Sequence, residues 1–154
     1  MKSNDNSNKP LIILCIDTNN LSKNIIKYSF NQAKKMNCNL SILTIIESSN
    51  KNLIFGAKAL YNQQRFQIEQ ELKKIVSEMN EEEIIPIISI REGEVLKEII
   101  SEIQENANCK KLLLSKSKNI KSDNSLLPKL INQIGDKIKI PVSIIPQSLS
   151  EDFF

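Results

Sequence analysis

Leu112–Lys129 reads LLLSKSKNIKSDNSLLPK. It opens as a short apolar strand, passes through a Ser/Lys/Asn loop, and closes at the start of a helix. In an α/β layer, the loop between a strand and the following helix is where a phosphate is held by backbone N–H groups. This loop has no glycine, and Pro128 sits where a backbone donor would serve an anion. The stretch points to a nucleotide-binding architecture without the usual phosphate cradle.

The same strand-to-helix alternation extends upstream. Leu11–Ile16 (LIILCI) is a continuous apolar run, as expected of a strand covered on both faces. It ends at Asp17, followed by Thr18, Asn19 and Asn20, which are turn and N-cap residue types. Ile25, Ile26, Phe30, Ala33 and Met36 fall on one face of a helix from about Ser22 to Met36, with Asn37, Cys38 and Asn39 as its exit. Leu40–Ile46 (LSILTII) reads as the second strand. Tyr61, Ile68, Leu72, Ile75, Val76 and Met79 then stripe a long helix from about Ala57 to Met79.

Ile84–Ile90 reads as a third strand, and Pro86 within it suits an edge better than a centre. Gly93 marks a turn, and Glu92 and Glu94 favour the start of a helix. Val95, Leu96, Ile99, Ile100 and Ile103 supply that helix with its core face. Leu112–Leu114 is the fourth strand, and Leu126 to about Ile134 the fourth helix, with Gly135 near its C-cap. Val142–Ile145, between Pro141 and Pro146, is the fifth strand. This βαβαβαβαβ order implies a single-domain α/β fold, a doubly wound and mostly parallel five-stranded sheet. Residues 1–9 and 148–154 read as disordered tails around a domain at 10–147.

Composition narrows the function. At 154 residues, 40% hydrophobic and 25% charged, the chain suits one ordinary globular domain. No apolar run approaches the ~20 residues that span a bilayer, and MKSNDNSNKP lacks a signal peptide's apolar core. The expectation is a cytoplasmic protein without a membrane role. Cys15, Cys38 and Cys109 are scattered, with no CxxC, which argues against disulfides and zinc. The absence of histidine removes Ser-His-Asp and Cys-His pairs and the usual base near neutral pH. Glu81, Glu82 and Glu83 are consecutive, so they do not converge on a point. No catalytic and no metal-ligating residue is expected, and the chain is not read as an enzyme.

Charge is uneven along the sequence. Residues 63–105 hold eleven acids and five bases, net −6, whereas residues 110–139 hold eight lysines and two aspartates, net +6. Such a basic half reads mainly as a solvated lysine surface. Nucleic-acid binding is not expected, since only 5% of residues are aromatic and no recognition motif appears.

From Leu11 to Pro146 the chain resembles the universal stress protein family. LIILCID is similar to that family's first strand ending in aspartate, LSILTIIES to its second strand, REGEVLKEII to its Gly-bearing turn, and IPVSIIP to its closing strand. The resemblance implies an adenine-nucleotide alpha hydrolase-like fold with sheet order 3-2-1-4-5, a homodimer made through the fifth strand (Val142–Ile145), and a role in stress survival. ATP-binding members carry G-x-x-G-x9-G-[ST] after the fourth strand. Here Ser115, Lys118, Pro128 and Lys129 occupy those positions, and all four depart.

Ser115 and Lys118 add a Cβ and restrict φ; Pro128 deletes an N–H yet leaves the helix start comfortable. Lys116, Lys118, Lys121 and Lys129 could meet a phosphate by charge, less specifically than an N–H nest. Asp17 matches the family, where it contacts the nucleoside; it could equally cap the first helix. The reading is thus a regulatory or protective homodimer with no cofactor and with protein partners unknown. The alternative is an ATP binder using Asp17, Ser115, Ser117 and Lys118. Val142, Ile144 and Ile145 on an edge strand would need covering, which a dimer provides.

Overall fold

Five strands, β1 (Leu11–Cys15), β2 (Asn39–Glu47), β3 (Ile87–Gly93), β4 (Cys109–Ser115) and β5 (Val142–Ile145), lie in one sheet in the order β3-β2-β1-β4-β5. Every adjacent pair is parallel. The helices are α1 (Lys23–Lys35), α2 (Ala57–Glu78) and α3 (Val95–Glu105). The computed structural model describes residues 9–47, 56–79, 84–115, 132, 136 and 139–146. Of the expected fourth helix (Leu126 to about Ile134) only Asn132 is described, and it is helical; Asp136 is helical too, beyond the expected end and beyond Gly135, the residue expected near the C-cap. The first eight residues, Ser48–Asn52, Glu81–Glu83, the lysine-rich loop from Lys116 and the C-terminal tail lie outside the described residues.

Alternation along β1 explains the two layers. Ile12, Leu14 and Ile16 pack with Ile25, Ile26 and Phe30 of α1 and with Ile68, Leu72 and Ile75 of α2. Leu11, Ile13 and Cys15 pack on the other face with Leu96, Ile99 and Ile103 of α3. Successive side chains of a strand point to opposite faces, so a strand covered on both sides must be apolar throughout. All five residues of β1 are buried.

Helix α1 is closed at both ends by its own sequence. The Ser22 hydroxyl accepts from the Ile25 N–H at 3.3 Å, satisfying one of the free donors of the first turn. At the other end Asn37 adopts φ 53°. Cys38 N–H then reaches Ala33 C=O at 2.8 Å and Asn37 N–H reaches Lys34 C=O at 3.1 Å, the Schellman pattern with asparagine in place of glycine. Met36, expected on the core face, is instead the C-cap residue, outside the helical turns, and is 43% exposed.

The third strand differs from its sequence reading. It begins at Ile87, after Pro86, and runs on through Arg91 to Gly93 in an unbroken ladder with Ser41–Glu47. Proline has no N–H to give the ladder, so pairing starts beyond it. The fourth strand starts earlier than Leu112, at Cys109, and takes in Lys110 and Lys111. No helix among the described residues is long and apolar enough to cross a membrane.

Candidate functional site

Winding reverses between β1 and β4, neighbours in the sheet whose connections leave in opposite directions. The C-terminal ends of two such strands leave a crevice between their outgoing loops. Cys15 is level with Leu114 in the register, so Ser115 stands one step beyond that rung and Asp17 two. The structure therefore brings Asp17 and Ser115 to the same edge of the sheet. Ser117 and Lys118 lie outside the described residues.

Asp17 is half-buried and shapes its own loop. Its Oδ1 accepts from Asn19 N–H at 3.0 Å, and its carbonyl accepts from Asn20 N–H at 3.0 Å. This is an Asx-type turn. It corrects the expectation that Asp17 could cap α1: five residues separate it from Lys23, the first helical residue, and Ser22 caps the helix instead. A second tight turn, Ser22 N–H to Asn20 C=O at 3.0 Å, leads from the Asx turn into the helix.

Ser115 is the last rung of β4 and pairs with Ile145 of β5. It is half-buried and in strand conformation, which any L residue adopts. At the tips of β1 and β4 the described polar groups are thus Asp17, Thr18, Asn19, Asn20 and Ser115. Such a set can hydrogen-bond a polar ring or hydroxyl, and it contains neither a nucleophile–base pair nor a basic side chain. Beneath it, burial, with the Asp17 and Glu102 carboxylates adding, pushes the Cys15 thiol up to about 12. Among the described residues, no group of three or more His, Cys, Asp and Glu could hold a metal ion.

A second charged cluster lies two strands away along the same C-terminal edge, since Arg91 pairs with Ile45, two rungs beyond the level of Cys15. Arg91 of β3 donates to Glu102 at 2.6 Å and to Glu105 at 3.0 and 3.3 Å, and its Nε lies 3.8 Å from Glu98. The hydrogen bonds it donates to Glu105 and then Glu102 hold the guanidinium above its ordinary value, and Arg91 holds Glu105 below the usual carboxylate range. Sequence reasoning did not bring these residues together. The signal was present: Glu98, Glu102 and Glu105 recur with helical spacing, an acidic stripe beside the apolar stripe of α3.

The architecture has counterparts among solved structures. The universal stress protein UspA from Lactobacillus plantarum superposes with a TM-score of 0.61 at 12% identity, covering 89% of this chain and 97% of that one. A universal stress protein family member from Burkholderia pseudomallei gives 0.60 at 12%, over 94% and 99%. The chain has the universal stress protein fold. A universal stress protein in complex with cAMP shares it as well, with a TM-score of 0.54 at 13% identity over 91% and 98%. No family model and no curated protein matches the sequence. At 12–13% identity the likeness is one of fold, which many different apolar core sequences can specify.

Proposed function

We propose that this chain is a universal-stress-protein-like regulatory or protective module, a homodimer through β5 that does not bind ATP tightly. The observation that carries the reading is Ser115. It occupies the first glycine position of the ATP motif, yet it is an ordinary rung of β4 paired with Ile145, not a left-handed turn opening toward a phosphate. Lys118, Pro128 and Lys129 replace the remaining motif positions in sequence. The dimer is supported by the outer side of β5, where Ile144 is 44% exposed and, among the described residues, no further strand pairs. The chain acts as a binding module through its surfaces, with no reaction of its own.

One observation favours a second reading, an adenine-nucleotide binder. Asp17 and Ser115 share the crevice edge, and a protein of the same fold was solved with cAMP. In this reading Asp17 meets the nucleoside, and Ser115, Ser117 and Lys118 meet the phosphate end. Native mass spectrometry of the purified chain separates the two. A bare dimer, with no rise in melting temperature in millimolar ATP and Mg²⁺, supports the first reading. Retained nucleotide, or a stabilisation lost in Asp17→Asn, supports the second. A monomer at micromolar concentration removes the dimer.

A further inference from the structure

The two outer strands of the sheet are protected very differently. Strand β5 is four residues long and is bracketed by Pro141 and Pro146. Strand β3 is seven residues long, keeps an unbroken register with β2, and contains neither proline nor lysine. Short length, proline, lysine and bulges are the usual means of blunting a sheet edge. Pro86 stands outside the paired segment, so every residue from Ile87 to Gly93 retains its N–H. Arg91, the basic residue of the strand, is turned onto α3 and held there by Glu98, Glu102 and Glu105.

Among the described residues no strand pairs with the outer side of β3, and apolar and acidic groups surround that side. Ile85 is 86% exposed and Ile87 56% exposed. Glu92 and Glu94 are exposed, and the Glu105 side chain is 64% exposed. Three glutamates around one arginine leave the α3 side of the edge net negative. The segment 63–105 that builds it carries eleven acids against five bases. The acidic groups beside this edge complement a cationic strand.

We propose that the β3 edge is a docking edge for an extended, lysine- or arginine-bearing segment of a partner protein, added as a sixth strand. Main-chain bonds to Ile87–Gly93 would supply the ladder, apolar residues of the segment would cover Ile87 on the α3 face, and its cations, on the opposite face, would meet Glu92. This goes beyond the preceding reading: it uses the sheet edge opposite to β5 and is independent of nucleotide.

The test uses the full chain and a fluorescent seven-residue peptide of alternating lysine and valine, followed by anisotropy. A glutamate/valine peptide and a lysine/valine peptide N-methylated at alternate residues serve as controls. The expected result is binding of the cationic peptide, loss of binding on N-methylation, and affinity about tenfold weaker in Ile87→Lys. The position is exposed, so the variant folds, which circular dichroism checks. Equal binding of the N-methylated peptide would reduce the contact to charge attraction and overturn the proposal, as would binding of the acidic peptide or of none. Dissociation of a dimer by Ile87→Lys, with Ile144→Lys leaving it intact, would assign the edge to a second copy and overturn it too.

Discussion

Arg91 Nη1 donates to Glu102 Oε2 at 2.6 Å across the gap between β3 and α3, and the Glu102 side chain is 8% exposed. A buried carboxylate is tolerated while its partner is present and costly once the partner is gone. Arg91→Ala should therefore lower stability by about 3 kcal/mol in urea denaturation. Replacing both partners with apolar residues, Arg91→Met with Glu102→Leu, should recover a large part of that loss. A double variant no more stable than Arg91→Ala would mean the burial of Glu102 is not what costs.

The same cluster sets an acid limit. The hydrogen bond from Arg91 holds Glu105 below its ordinary value of 4.5, and Lys23 does the same for Glu78. A carboxylate with a depressed folded value binds its proton less readily folded than unfolded. Its contribution is thus complete above pH 4.5 and is lost as pH falls through the lower folded value. Both groups are solvent-exposed, so the effect is modest and screened by salt. Thermal melts from pH 6 down to 3 should show the loss below about 4.5, and Glu105→Gln should flatten it.

Gly93 closes β3 at φ +149°, where a side chain is strained. A Cβ there would also stand 2.9 Å from Glu98 Cγ, in a side chain leaning toward Arg91. Gly56, at φ +92°, has nothing within 4 Å of its would-be Cβ. Gly93→Ala should cost about 1–3 kcal/mol, and more than Gly56→Ala, which carries backbone strain alone. Equal losses in chemical denaturation would remove the role of Glu98.

How much was legible depends on the physics behind each element. Strands β1 and β2 could be read because both faces are buried, so every position had to be apolar or small. Helices α1 and α3 could be read because one stripe meets the sheet. Strand β4 was under-read because Lys110 is exposed and Lys111 half-buried at its start, and paired lysines do not look like a parallel strand. The edge strand was displaced by three residues because apolar Ile84 and Ile85 precede the proline yet take no part in the ladder. At the site, the position of Asp17 followed from topology. Its local bond did not, because an aspartate before a polar loop suits an Asx turn and a helix cap equally well.

The two turns after β1 can be separated by mutation. Ser22→Ala removes the side-chain acceptor for Ile25 N–H and should cost about 1 kcal/mol. Asp17→Asn keeps an oxygen for Asn19 N–H and should change stability by less than about 0.5 kcal/mol. Asp17→Ala loses that bond and should cost more than Asp17→Asn. If all three variants melted alike, neither hydrogen bond would hold the loop.

Cys15, Cys38 and Cys109 are all free and all buried. Burial raises each thiol, Cys15 to about 12, and the lysines at positions 9 and 110 only partly offset this at Cys38. Because the thiolate is the reactive form, the native chain should resist a disulfide reagent near pH 8, while all three thiols react in denaturing guanidinium. The sign at alkaline pH follows from the same shift. The unfolded thiol ionises near 9.0 and the folded one higher, so the contribution is complete below 9.0 and shrinks as pH rises toward 12. Cys15→Ala should lessen that alkaline loss while opening a small cavity beside Asp17 and the α3 core. Rapid labelling of any thiol in the folded chain would show that the sheet opens around it far more often than its burial allows.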